Sequence, residues 1–156
     1  MEKHQKFMRL SIELANRSIQ SGGGPFGAVV VRNDDVVGTG ANSVTNLNDP
    51  TAHAEILAIR DAAKKLGRFD LNDCVLYTSC EPCPMCLGAV YWAKIKTIYY
   101  GCNRKDAAKA GFDDEFIYKE LNIPPDKRSI TMKTILENEA FETFKEWIEM
   151  PDKKEY

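Results

Sequence analysis

Two short stretches of the chain carry residue types that could hold a metal ion. The first reads His53-Ala54-Glu55 and the second reads Pro82-Cys83-Pro84-Met85-Cys86. One imidazole and two thiolates suit Zn²⁺, which takes four ligands in a tetrahedral arrangement. Three protein ligands leave a fourth position for water, and this open position distinguishes a catalytic zinc site from a structural one. We therefore predict a catalytic zinc site built from His53, Cys83 and Cys86.

Glu55 follows His53 by two residues, which is too short a spacing for both side chains to bind one metal comfortably. A carboxylate beside the metal-bound water could instead accept a proton and hand it on. The alternative is that Glu55 only favours the N-terminus of a helix through its negative charge. Because of its position relative to His53, we expect the proton-transfer role.

The remaining cysteines leave two alternatives open. Cys80 could be the fourth ligand of a structural zinc, or it could pair with Cys83 as a redox Cys-x-x-Cys. The redox pairing leaves the His-x-Glu half of the pattern unexplained. We expect Cys80 to be buried beside the site, and Cys74 and Cys102 to be core thiols. An odd count of five cysteines without a signal peptide argues against a disulfide framework.

Hydrophobic patterns predict the elements that position these residues. Each half of the metal motif lies at the start of a predicted helix, where thiol pKa values fall and carboxylates are favoured. The predicted order is a helix over 3–20, strands over 27–31 and 36–40, a loop over 42–49, a helix over 51–66, a strand over 74–78, a helix over 85–93 and a strand over 97–100. This order indicates an α/β sandwich with some parallel strand pairing.

The C-terminal third is less regular. Residues 130–136 form a candidate edge strand, and residues 140–150 have the pattern of an amphipathic helix with an acidic outer face. A polar tail ends at Tyr156. Because no repeat, low-complexity tract or interdomain linker interrupts the chain, we expect a single domain over 1–156.

Composition bounds the class of protein. A chain of 156 residues with 44% hydrophobic and 28% charged residues is typical of one soluble globular domain. A net charge of −2 gives no general attraction to nucleic acid or anionic membranes. No apolar run approaches the length of a membrane span, and no signal-peptide pattern follows Met1. We expect a cytoplasmic protein with neither nucleic-acid nor membrane partners.

Four further motifs surround the metal ligands: Gly24-Pro-Phe-Gly-Ala28, Asn48-Asp-Pro-Thr-Ala-His-Ala-Glu55, Thr78-Ser-Cys-Glu-Pro-Cys-Pro-Met-Cys86 and Ala110-Gly-Phe-Asp-Asp114, with Lys154-Glu-Tyr156 at the end. On these motifs the chain resembles the cytidine-deaminase-like superfamily of zinc deaminases, and within it the bacterial guanine deaminases. The resemblance runs essentially from end to end. It implies a three-layer α/β/α sandwich around a mixed, roughly five-stranded sheet.

The resemblance implies one Zn²⁺ per subunit, held by His53, Cys83 and Cys86, with Glu55 as the proton shuttle. It implies hydrolysis of guanine to xanthine and ammonia, in which hydroxide supplied at the zinc attacks C2 while Glu55 protonates a ring nitrogen. Asp114 would be a second acid/base group near the leaving amine, and its acceptor oxygens match the N1–H and 2-amino donors of guanine. Without the resemblance, the acids around Asp114 would indicate only a solvated face.

The resemblance also implies a purine pocket and a homodimer. Asn42 would hydrogen-bond the purine edge and Phe26 would stack on its face. The C-terminal segment over 137–156 would be exchanged between subunits, so that Trp92 and Tyr156 close the partner's active site. Taken alone, Asn42 is a typical loop asparagine, Phe26 and Trp92 could be core aromatics, and Tyr156 could be a frayed terminus.

Other functions remain open from the sequence. A tRNA adenosine deaminase shares the zinc motifs but needs a basic surface for phosphates, whereas residues 137–149 carry five glutamates against one lysine. A cytosine deaminase would use the same zinc chemistry on a different base. A non-catalytic zinc-binding module would have a fully ligated metal and would hydrolyse no base.

Overall fold

A mixed four-stranded sheet is the centre of the computed structural model, which describes residues 2–156. Strands β1 (Gly27–Arg32) and β2 (Asp35–Ala41) form an antiparallel hairpin. Strand β1 also pairs antiparallel with β3 (Val75–Cys80), and β3 pairs in parallel with β4 (Thr97–Cys102). The strand order is β2-β1-β3-β4. The predicted α/β class and mixed sheet are confirmed, with four strands in the described residues rather than roughly five.

Seven α-helices accompany the sheet in residues 2–156. They are α1 (Glu2–Gln20), α2 (Val44–Leu47), α3 (Ala54–Leu66), α4 (Pro84–Trp92), α5 (Arg104–Lys109), α6 (Glu115–Leu121) and α7 (Glu137–Glu149). The long helices α1, α3, α4 and α7 lie where the hydrophobic pattern predicts helices. The short helices were not predicted, and α2 falls inside the predicted loop over 42–49, because four residues are too few to show a helical period.

Helices α1, α3 and α4 cover the two faces of the sheet and so complete the expected three-layer arrangement. Helix α1 packs on one face through Phe7, which belongs to a cluster with three side chains of β1 and β3, namely Val29, Val31 and Tyr77. Helices α3 and α4 pack on the other face in a second cluster, which contains Ala54, Ala58, Ala62 and Val90 together with Ala28, Val30 and Leu76. Successive β1 residues therefore face opposite layers, as the two-residue period of a strand requires.

Helix α3 approaches the sheet closely because only small residues separate them. Ala54, Ala58 and Ala62 are fully buried and repeat every fourth residue, so they form one stripe along the helix. The stripe faces the glycines of β2, where a Cβ on Gly40 would lie 2.0 Å from the Ala54 carbonyl oxygen. The His-x-Glu motif lies at the start of α3. This packing therefore fixes the position of the motif relative to the sheet.

Replacing Gly40 with alanine is expected to lower the free energy of unfolding by about 1–3 kcal/mol, because the added methyl overpacks the α3 interface. Gly88→Ala is the matched control: a Cβ there meets nothing within 4 Å, and Gly88 lies inside α4. Alanine at that helical site is expected to leave stability equal or higher. Urea unfolding of both variants measures the effects, and equal stability of Gly40→Ala and the parent would contradict the close-packing argument.

The chain divides into two compact units, Met1–Glu115 and Phe116–Tyr156. The second unit contains α7, in which no residue is buried and Phe141, Phe144 and Ile148 are exposed.

Residues 130–136 pair with no strand, so the predicted edge strand is wrong for the single chain. Among residues 2–156, no helix has the length and apolar character needed to cross a bilayer.

Candidate metal centre and active site

The three predicted metal ligands lie at the starts of two helices. His53 is the N-cap residue of α3, Cys83 is the N-cap residue of α4, and Cys86 lies in the first turn of α4. Neither residue is assigned a side-chain capping hydrogen bond, although this position normally carries a capping serine, threonine, aspartate or asparagine. The two residues thus give up capping and contribute their side chains to a common site.

The donor atoms of His53, Cys83 and Cys86 all lie within 4.8 Å of one another. His53 Nδ1 is 3.5 Å from Cys83 Sγ and 3.4 Å from Cys86 Sγ. Tetrahedral zinc with ordinary Zn–S and Zn–N bonds separates a sulfur from a nitrogen ligand by ~3.6 Å. The spacing and the chemistry of the three donors therefore fit Zn²⁺. Among residues 2–156 this cluster has three donor residues, the number that an open site requires.

The Cys83 and Cys86 thiols are hydrogen-bonded to each other, and this moves their two pKa values in opposite directions. A hydrogen bond from Cys86 lowers the pKa of Cys83 to about 4. The same hydrogen bond raises the pKa of Cys86. The hydrogen bond with Cys83 also raises the pKa of His53. A metal ion at this site would need both sulfurs as thiolates, so metal binding and proton release would be coupled.

Glu55 lies in the first turn of α3 and is 5% exposed, which is unusual for a carboxylate. The Cys86 thiol donates a hydrogen bond to Glu55 Oε2 at 3.5 Å. Burial raises the pKa of Glu55, and the nearby Cys83 sulfur raises it further. A buried carboxyl group next to the metal ligands, with its pKa moved toward neutrality, is suited to accept and release a proton during a reaction.

Asn42 and Phe26, predicted to bind a purine, lie next to each other. The Asn42 backbone N–H donates to the Phe26 carbonyl oxygen at 2.9 Å. Asn42 is 8% exposed, and its Oδ1 accepts from the backbone N–H groups of Gly24 and Val44 at 3.2 and 3.3 Å. The Phe26 ring is half-buried. The Phe112 ring packs edge-on against it, with 4.9 Å between the two ring centroids. These contacts hold an amide and an aromatic face side by side.

Short hydrogen bonds connect this pair to the metal-ligand segments. The Ser43 backbone N–H donates to the Ala52 carbonyl oxygen at 3.0 Å, one residue before His53. The Gly27 backbone N–H donates to the Ser79 hydroxyl at 3.1 Å, at the end of β3. The loops carrying Phe26 and Asn42 are therefore fixed to the segments that lead into both halves of the metal motif.

Asp114 is partly buried, and burial raises the pKa of its carboxyl group. The negative charges of Cys83 and Glu81 raise this pKa further, while Arg104 lowers it. The charge of Cys83 thus acts on the Asp114 carboxyl group. The second acid/base role expected for Asp114 stays a prediction.

Trp92 and Tyr156, predicted to close the partner's site, both have exposed side chains in the described chain. Trp92 ends α4 and is 67% exposed, so the plainer interpretation as a core aromatic is wrong. Tyr156 belongs to the second unit and is 72% exposed. Cys80 is buried, as expected, and its thiol donates to the Asn103 carbonyl oxygen at 3.8 Å. Cys102 is exposed and is therefore not a core thiol, unlike Cys74.

Comparison with known families assigns the class of this protein. Residues 1–102 match the family model described as the cytidine and deoxycytidylate deaminase zinc-binding region. The match covers the sheet, α3, α4 and the complete His-x-Glu and Pro-Cys-x-x-Cys pattern. The chain belongs to this deaminase family.

Individual relatives narrow the comparison. The chain is 50% identical over 154 residues to guanine deaminase of Bacillus subtilis, covering 98% of this chain and 99% of the relative. The crystal structure of guanine deaminase from Bacillus subtilis superposes with a TM-score of 0.95 over 98% of both chains. The tRNA-specific adenosine deaminase of Buchnera aphidicola is 35% identical and covers 86% of each chain. A guanine deaminase structure from Nitrosomonas europaea has 36% identity and a TM-score of 0.66, covering 69% of this chain and 63% of that one.

Proposed function

We propose that the protein is a zinc-dependent guanine deaminase, which hydrolyses guanine to xanthine and ammonia. The observation that carries this proposal is the buried Glu55 beside a three-donor cluster, in a chain that is half identical to a guanine deaminase over nearly its whole length. Burying a carboxylate costs solvation free energy, which lowers the stability of the fold. A proton-transfer step, in contrast, requires a carboxylate at this place.

His53, Cys83 and Cys86 would hold one Zn²⁺ per subunit. When bound, Zn²⁺ would supply a Lewis acid and lower the pKa of a water molecule toward neutrality. Glu55 would take one proton from the attacking water and deliver it to a ring nitrogen of guanine. As the C2–O bond forms and the bond from C2 to the exocyclic nitrogen breaks, the second proton of the water would pass to the leaving nitrogen, so that guanine and water become xanthine and ammonia. Glu55 thus acts as base and then as acid.

Guanine recognition would fall to Asn42, Phe26 and Asp114. The Asn42 Oδ1 atom is occupied by two backbone donors, so its Nδ2 group is directed to donate to an acceptor on the purine. The Phe26 ring, held by Phe112, offers a face on which a purine can stack. Asp114 offers acceptor oxygens to the amino side of the base, and its raised pKa favours proton exchange with the leaving amine.

Ammonia release from zinc-loaded protein tests the proposal directly. Guanine, cytosine, adenine and a tRNA anticodon stem-loop would be offered in parallel, with Glu55→Gln as the control for contaminating activity. We expect turnover of guanine alone. Turnover of the stem-loop would favour a tRNA adenosine deaminase, whose surface charge α7 does not match, and turnover of cytosine would overturn the purine pocket. No turnover of any base would favour a non-catalytic zinc-binding module.

The active unit is proposed to be a homodimer in which residues 1–156 form one deaminase domain and residues 137–156 are exchanged. In the described chain, α7 buries none of its apolar residues. The side chains of Phe144 and Ile148 are 63% and 60% exposed. Helices with an apolar stripe bury it against another element. Exchange with a second copy would bury this stripe and bring Trp92 and Tyr156 to the partner's purine pocket.

Mixing two inactive variants distinguishes an exchanged tail from a tail that serves its own chain. The Glu55→Gln variant keeps Tyr156 but lacks the proton shuttle. The variant with Tyr156 deleted keeps the proton shuttle but lacks the end of the tail. If the tail crosses, co-refolded mixtures regain roughly a quarter of wild-type activity, because half of the dimers are mixed and each has one intact site. If the tail serves its own chain, the mixtures remain inactive.

We also propose a cytoplasmic location. Two thiolates must stay reduced to hold the metal, and all five cysteines are free. Reducing compartments preserve such thiols, whereas oxidising compartments favour disulfides.

A further inference from the structure

We infer that Ser18 is a positioning residue for Asn42 and thereby contributes to the selection of the purine base. The inference rests on the proposed function. Ser18 lies in the last turn of α1 and is 3% exposed. Its hydroxyl donates a 2.8 Å hydrogen bond to the backbone carbonyl oxygen of Asn42, 24 residues further along the chain.

This hydrogen bond differs from the usual behaviour of a serine inside a helix. Helical serines commonly bond a carbonyl of the preceding turn. Ser11, which lies in the same helix and is fully buried, does so by donating to the Met8 carbonyl oxygen at 2.8 Å. Ser18 instead leaves its own helix to bind the loop that carries Asn42. Ser18 therefore connects α1 to the candidate purine site, and Ser11 does not.

Gly23 makes this connection possible. A Cβ on Gly23 would lie 2.3 Å from the Asn42 carbonyl oxygen and 2.4 Å from Ser18 Oγ, distances that real Cβ atoms do not adopt. The Gly23 backbone N–H also donates to the Ser18 carbonyl oxygen at 2.8 Å. Ser18, Gly23 and Asn42 thus pack as one unit, which we name the Ser18 clamp.

The clamp completes the fixation of Asn42. Its backbone N–H is held by Phe26, its carbonyl by Ser18, and its Oδ1 by two backbone N–H groups. Because both partners of Oδ1 are donors, the orientation of the carboxamide is settled, and Nδ2 carries the hydrogens left for a ligand. A donor held in this way recognises an acceptor at one position on the purine edge. If the backbone of Asn42 shifts, this donor shifts with it.

Steady-state kinetics with guanine test the clamp, with Ser11→Ala as the matched control. Ser18→Ala is expected to lower kcat/KM about 10-fold, mainly through KM, because the donor no longer meets the purine acceptor. Ser11→Ala also removes a buried hydroxyl from α1 and is expected to leave kcat/KM within about 2-fold. In an Asn42→Ala background, Ser18→Ala is expected to have no further effect, since no side chain is left to position.

A structural role alone predicts a different pattern. If Ser18 only stabilised the fold, its effect would multiply with that of Asn42→Ala, and Ser18→Ala and Ser11→Ala would behave alike. Either result would overturn the inference, as would an unchanged kcat/KM in Ser18→Ala.

A readout without turnover separates this inference from the proposed function. Relaxation of the ¹⁵N-labelled Asn42 side-chain amide, observed by NMR, reports its mobility in each variant. We expect this amide to be rigid in the wild type and in Ser11→Ala and to become mobile in Ser18→Ala. Equal rigidity in all three proteins would overturn the clamp. An inactive wild type with the expected NMR pattern would overturn the proposed function and retain the clamp.

Discussion

Glu55→Gln is expected to lower the rate of ammonia release from guanine by about 10²- to 10⁴-fold, the usual contribution of a positioned acid/base group. Glutamine preserves the size and polarity of the side chain, but it cannot take up a proton. The loss is therefore expected in kcat, with a smaller change in KM. Rate measurements on metal-loaded protein check this result.

The matched control is Glu81→Gln. Glu81 is a partly buried acid in the loop before the Cys83 ligand, and its Oε2 accepts from the Arg104 backbone N–H at 3.1 Å. This contact is retained by glutamine, so activity is expected to stay within a few-fold of the wild type. A comparable loss in both variants would mean that charge near the cluster matters, and not proton transfer by Glu55.

Glu55→Gln is also expected to raise the stability of the metal-free protein. Burial raises the pKa of Glu55 above its usual 4.5, so the folded state binds this proton more tightly than the unfolded state does. Such a carboxyl stabilises the fold most below the unfolded pKa, and the contribution is lost as pH rises through the folded pKa. At pH values above its usual pKa, keeping this carboxyl buried costs stability, and glutamine removes this cost.

Melting of metal-free protein across pH measures this cost. The Tm of Glu55→Gln is expected to exceed that of the wild type near pH 7, and the difference is expected to shrink toward pH 4.5. A Tm for Glu55→Gln below that of the wild type at every pH would mean that the carboxylate stabilises the fold. Activity and stability would then have the same origin, contrary to the interpretation of Glu55 as a strained functional group.

Long periodic elements could be predicted from the sequence because their own residues specify them. The helices α1, α3 and α4 and all four strands follow local hydrophobic patterns, and the turn Asn33-Asp34 adopts positive φ angles of 48° and 72°, which Asn and Asp tolerate well. The number of strands could not be predicted in this way. Whether residues 130–136 join a sheet depends on which surface they meet, and this is not a local property.

In the site, too, residues with a local sequence pattern could be predicted, whereas contacts between residues far apart in the sequence could not. His53, Cys83 and Cys86 are recognisable because metal ligation demands particular residue types at particular spacings. Ser18 has no such signature, since a serine near the end of a helix is common and its partner Asn42 lies 24 residues away. Similarly, His4 Nδ1 lies 2.7 Å from the Tyr77 hydroxyl, across 73 residues. Only the fold brings such pairs together.

Removal of the metal is expected to abolish activity and to lower the Tm by roughly 10 °C or more. The three donors come from the N-termini of α3 and α4, which are separated in sequence by β3, so a bound cation would cross-link these two helices. Loss of the Lewis acid alone corresponds to several kcal/mol of activation free energy, or about 10³-fold or more in rate. Dialysis against a chelator followed by zinc addition measures both effects.

Two cysteine variants decide whether the site is open. Cys86→Ser removes a proposed ligand, and we expect metal analysis to find far less than the ~1 Zn²⁺ per chain of the wild type. Cys80→Ser is the matched control, because Cys80 is three residues from Cys83 in sequence, as Cys86 is, but its thiol donates to the Asn103 carbonyl oxygen, outside the three-donor cluster. It is expected to retain zinc and guanine turnover. Loss of zinc from Cys80→Ser would identify Cys80 as a fourth ligand, and a fully ligated structural metal would then exclude the hydrolytic role.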